Sequence, residues 1–82
     1  MAPDVPLCLL AEAVFVSDLQ PSEHPDSRLV RDTAYAQVFR LGEQGCVEQV
    51  AQEFGDHPAN AQQRMEWARE VSREAFDLAG AR

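Results

Sequence analysis

Cys8, His24, Cys46 and His57 are the side chains of this 82-residue chain whose types could ligate a metal or, in part, act as nucleophile and base. Together they make a Cys2His2 count, the inventory of a small zinc site. Their order and spacing do not deliver one. No two stand at the two-to-four-residue separation by which a zinc knuckle fixes two ligands locally. A metal site would have to be assembled wholly from tertiary contacts. The catalytic combinations are His57 with its neighbour Asp56, or Cys46 with a histidine brought in by folding. Cys46 falls on the apolar face of its predicted helix, where a thiol is inert rather than activated. Neither histidine belongs to a local motif with a nucleophile, and no phosphate-binding glycine loop occurs. The chain is therefore expected not to be an enzyme, with no catalytic residue, no metal and no cofactor.

Each histidine sits between an acid and a proline, in Glu23-His24-Pro25 and Asp56-His57-Pro58. The echo continues at a spacing of thirty-three residues, with Arg31, Val38 and Arg40 set against Arg64, Val71 and Arg73. That is the length of a helical-hairpin repeat, yet two copies are too few to bury the faces of a solenoid. Two similar helix starts account for the pattern as well. An acid near exposed amide groups, and a proline whose missing N–H costs nothing in the first turn, are what a helix N-terminus favours.

Charge narrows the classes of partner. Fourteen acids face seven arginines and no lysine, a formal net charge of −7. That balance argues against non-specific attraction to nucleic acid or to an anionic membrane. The apolar run from Leu7 to Val16 is broken by Glu12 and is half the roughly 20 residues a spanning helix needs. The opening residues lack the positive charge of a secretory signal. A cytoplasmic protein is expected, with Cys8 and Cys46 as buried free thiols.

The elements that must position these residues are helices. No Asn-Gly or Asp-Gly hairpin turn occurs, and no stretch alternates apolar and polar over a strand's length. The three-and-four spacing of apolar residues predicts helices near 5–19, 25–41, 44–54 and 58–79. Asp4 would cap the first, and Gly42, Gly55 and Gly80 would end the others. The fold class is all-α: a single domain over 1–82, a compact bundle of four short helices, or three plus a docked N-terminal helix. Its predicted core is Leu10, Val14, Leu29, Val38, Val47, Val50, Ala51, Phe54, Met65, Ala68 and Phe76. Truncating Phe54 to alanine would then cost ~3–5 kcal/mol. The first helix is apolar around much of its circumference, so a homodimer is the simplest way to cover what the bundle leaves open.

Two resemblances bear on function. The stretch from Val47 to Arg64 resembles a helix-turn-helix, with Ala51 on its first helix and Gly55 at the turn. The resemblance implies a DNA-binding regulator whose second helix begins near Pro58, with Gln62, Gln63 and Arg64 as base contacts. Proline departs from that pattern, and Arg64, Arg69 and Arg73 are balanced there by Glu66, Glu70 and Glu74. The whole chain also resembles small uncharacterised helical proteins of actinobacteria. The resemblance rests on Leu9 to Ser17, on Gly45-Cys46, on Val50 to Pro58 and on Arg64 to Arg69. It implies an accessory or regulatory role in a bacterial cytoplasm. From the residues themselves the first expectation is a regulatory or adaptor module acting by protein–protein contact. Arg64, Trp67 and Arg69 would form its interaction residues, since tryptophan and arginine dominate interface energies. An acidic domain suits a basic surface, such as a basic regulator or an RNA polymerase component.

Overall fold

In the computed structural model, which describes residues 5–77, the first helix α1 spans Leu7–Phe15. Pro6 precedes it, and its carbonyl accepts from the Leu9 and Leu10 amides at 3.1 Å each. The helix stops at Phe15, short of the expected 19, because Ser17 offers the backbone another partner. Its hydroxyl donates to the Val14 carbonyl at 2.6 Å and accepts from the Leu19 amide at 3.2 Å. Such short polar side chains draw backbone groups away from the helical ladder. Asp4, expected as a cap, lies outside the described residues, as does the expected end of the fourth helix from 78 onwards.

The connection contains a 3₁₀ turn, Pro21–Glu23, with the Gln20 amide donating to the Glu23 carboxylate at 2.8 Å. The second helix α2 spans Ser27–Asp56. It starts two residues after Pro25 because Asp26 is the better cap, its carboxylate accepting from the Leu29 amide at 2.8 Å. The expected second and third helices run together in this one 30-residue element. Gly42 still breaks the helical path, at φ 74 and ψ 170, a conformation that glycine alone adopts readily. Helical pairing resumes at the next residue instead of after a loop. Among the described residues there are thus three α-helices and not four, the second of them kinked at Gly42.

A single residue, His57, separates α2 from α3, Pro58–Ser72, and Pro58 takes the first-turn position it is suited to. A π-helical turn, Arg73–Asp77, follows. Among the described residues there is no strand, and no helix is long and apolar enough to cross a membrane.

Helix α1 is the centre of the molecule. Leu9, Leu10, Ala11, Ala13, Val14 and Phe15 are all buried against α2 and α3. Facing them are Val30, Ala34, Cys46, Ala61, Met65 and Ala68. Alanine is frequent in this core, and small side chains let helix axes approach closely. Most of α1 is covered by its own chain, with Leu7 and Cys8 facing out, so less of it is left for a homodimer to cover than its apolar circumference suggested.

Of the predicted core, Leu10, Val14, Met65 and Ala68 are buried, and Val38, Val50 and Phe76 partly so. Leu29, Val47, Ala51 and Phe54 are on the surface, with Leu29 45% and Val47 44% exposed. The reason lies in the phase of α2. Cys46 points straight inward, and the next residue, a hundred degrees on, points sideways. Phe54 makes a near-parallel stack on Phe15 at 6.0 Å between ring centroids, but is 36% exposed. Phe54→Ala should accordingly lose only about 1–2 kcal/mol in denaturant titration, a partial burial plus one aromatic pair. A loss of ~4 kcal/mol would place the ring in the core after all.

Candidate interaction surface

Arg64 does not stand free on α3. Its Nε donates to the Phe15 carbonyl at 2.7 Å, and its Nη2 to the Ser17 and Leu19 carbonyls at 2.9 Å each, with Val14 at 3.4 Å. The last carbonyls of a helix lack partners within it and carry the negative end of its dipole. One guanidinium from α3 therefore closes the end of α1. Its central carbon lies 5.1 Å from the centroid of the Trp67 ring and 5.9 Å from that of Phe15. Phe54, Phe15, Arg64 and Trp67 thus form one ladder of side chains across the three helices. Burial pulls the Arg64 pKa below its ordinary value, opposed by Glu53 and Asp18, yet a guanidinium keeps its proton. Any contact from Arg64 to a base or to a partner would have to break these bonds.

The other residues singled out from sequence lie apart from one another. Trp67 is half-buried over Arg64, while Arg69, Gln62 and Gln63 are exposed. Gly55 sits within α2 and the chain reverses at His57, so the direction change falls two residues beyond the glycine matched to a helix-turn-helix turn. Of the two echoing arginines, Arg31 behaves like Arg64 in one respect. Its Nη1 donates to the Ala75 carbonyl at 3.3 Å, tying α2 to the turn after α3. The His-Pro steps themselves differ, since His24 is left-handed at φ 49 while His57, at φ −141 and ψ 68, is neither left-handed nor extended.

Cys46 is fully buried and Cys8 is exposed, a correction to the expectation of two buried thiols. Burial first, then neighbouring Glu12, pushes the Cys46 thiol upward, away from the reactive thiolate. Among the described residues no three histidine, cysteine or carboxylate groups gather as a metal site would require.

Glu12 is the partly buried acid of α1. Burial raises its pKa, Glu43 on α2 raises it further, and Arg69 on α3 opposes both. The folded chain therefore holds this proton more tightly than the unfolded chain does. Ionised Glu12 detracts from stability at neutral pH, and the deficit shrinks as pH falls through the raised folded value toward the ordinary glutamate range. Glu12→Gln should melt higher than the parent at pH 7, with the gap closing on acidification. An unchanged gap across that range would show that Glu12 is not penalised in the fold.

The surface that sequence reasoning missed lies on the second half of α2. Val47, Ala51 and Phe54 are exposed at intervals of four and three residues, which align on one side of a helix. Glu43 stands one turn before them, and Gln44 donates to Glu48 at 3.2 Å along the adjoining row. From 41 to 63 the chain holds Glu43, Glu48, Glu53 and Asp56 and not one arginine. That run of acids without a cation was visible in the sequence. The outward phase of the apolar stripe was not, because Cys46 and Val50 offer an equally periodic inner face. Phe39 is 94% exposed, but it belongs to the first half of α2, beyond the break at Gly42 and next to Arg40. No family model, curated protein or solved structure matches the chain.

Proposed function

We propose that this chain is a small acidic adaptor or regulatory module that acts by contact with another protein. The observation that carries this reading is the exposed stripe of Val47, Ala51 and Phe54 set in an acid-only stretch of α2. Apolar residues that a folded domain leaves exposed together, rimmed by polar ones, mark interaction sites. The acids would speed encounter with a basic partner and turn away wrong ones. A basic regulator or an RNA polymerase component in a bacterial cytoplasm fits that chemistry.

Photo-crosslinking residues placed singly at the exposed positions Gln52, Gln63 and Glu70 test the reading in the native cell. A discrete adduct with one protein from any of these positions is expected. Adducts from none of them would end it. A mobility shift with duplex DNA addresses the DNA-binding alternative, and the variants to use are Gln62→Ala and Gln63→Ala. Arg64→Ala cannot serve, since loss of its bonds to α1 would be mistaken for loss of a base contact. A complex that weakens steeply with salt and is lost on changing Gln62 and Gln63 would replace the adaptor reading with the DNA-binding one.

A further inference from the structure

We infer that the stripe on the second half of α2 receives a basic amphipathic helix, an occupant that rests on the adaptor reading and names its partner's chemistry. Three observations lead there. Val47, Ala51 and Phe54 offer contact points over two helical turns, the span over which a docked helix presents anchors at i, i+3 or i+4, and i+7. The floor between them is low. Ala51 carries only a methyl group, and a Cβ built on Gly55 would meet nothing within 4 Å. A partner helix can therefore settle close to the α2 backbone there, as ridges do in grooves.

Charge chooses among occupants. The stretch from 41 to 63 carries four negative charges of a net seven and no compensating arginine of its own. Glu43, Glu48 and Asp56 are exposed, while Glu53 is turned partly inward on the side where Arg64 lies. A second copy packed on the same face would bring two stretches that hold acids and no arginine against each other, and like charges across an interface are costly. Nucleic acid meets the same repulsion. A helix with apolar anchors flanked by lysine or arginine satisfies both the stripe and its rim. Such a contact would weaken with added salt without vanishing, because the apolar anchors are not screened.

The test titrates the isotope-labelled full chain with two synthetic peptides of identical leucine and lysine composition. In one the leucines share a helical face, and in the other they are scattered around it. The patterned peptide should shift the backbone resonances of Val47, Ala51 and Phe54. The scattered one should bind at least about tenfold more weakly. Ala51→Arg, a change at an exposed position, should weaken the patterned peptide by about tenfold or more. Val47→Asn gives the same reading should the arginine variant lose its helical spectrum. Equal binding of both peptides would reduce the contact to diffuse charge attraction and overturn the inference. So would shifts centred on Trp67 and Arg69, or self-association of the free chain that Ala51→Arg abolishes. If adducts still form in cells from Gln63 or Glu70, only the docking face fails; if none form anywhere, the adaptor reading fails with it.

Discussion

Arg64→Ala should lower the stability of the domain by about 2–4 kcal/mol, read as a melting temperature lower by roughly 10 °C or more. Three carbonyls at and beyond the end of α1, those of Phe15, Ser17 and Leu19, lose a charged donor at 2.7–2.9 Å. The negative end of the helix dipole loses the cation opposite it. The site is only part-buried, so water recovers some of these bonds and the upper figure is not exceeded. Helix α1 cannot absorb the loss alone, since nine residues are too few for an isolated helix to persist in water. Arg64→Lys should restore only part of the stability. An ammonium is a point charge, without the planar fork that reaches three carbonyls while lying over Trp67 and Phe15. An unchanged melting temperature in Arg64→Ala would mean that α1 is held by apolar packing alone.

That role could not be read from the chain. Arg64 bonds backbone carbonyls 45 to 50 residues away, and a carbonyl acceptor leaves no mark on the sequence that supplies it. What was legible was local. The three-and-four spacing declared helices, Pro58 marked the start of α3, and Gly42 marked a break. Whether a break ends a helix or bends it depends on the contacts made by the following turn. Here Cys46, one turn on, is drawn fully into the core beneath α1, and the break is a kink between two helical halves with no loop between them. The same tertiary choice fixed which of two equally periodic faces of α2 turned inward. It exposed Val47, Ala51 and Phe54, which a reading by periodicity alone assigns to the core. Cys8 was misplaced for the same kind of reason. In Leu7-Cys8-Leu9-Leu10 every residue is apolar, and only the position of α2 and α3 decides that Leu7 and Cys8 face out.

Phe15→Ala should be among the most damaging truncations in the molecule, at about 3–5 kcal/mol. The ring is 4% exposed at the end of α1, with Phe54 stacked on it at 6.0 Å and the Arg64 guanidinium 5.9 Å from its centroid. Its removal leaves a cavity beneath a partly exposed phenylalanine and takes away an aromatic face that helps to hold the arginine. The two residues are coupled through more than the ring, because Arg64 also bonds the carbonyl of Phe15 itself. That carbonyl survives truncation to alanine, so a double-mutant cycle isolates the side-chain contribution. Arg64→Ala in the Phe15→Ala background should cost less than in the parent, by about 0.5–1.5 kcal/mol. Phe54→Ala should likewise cost less once Phe15 is gone, because the stack on Phe15 is lost while the rest of its partial burial remains. Strict additivity of Phe15→Ala and Arg64→Ala in denaturant titrations would show that the ladder is an adjacency without energetic coupling. The bonds from Arg64 to the carbonyls would then be the whole of what Arg64 adds to the apolar packing of α3 on α1.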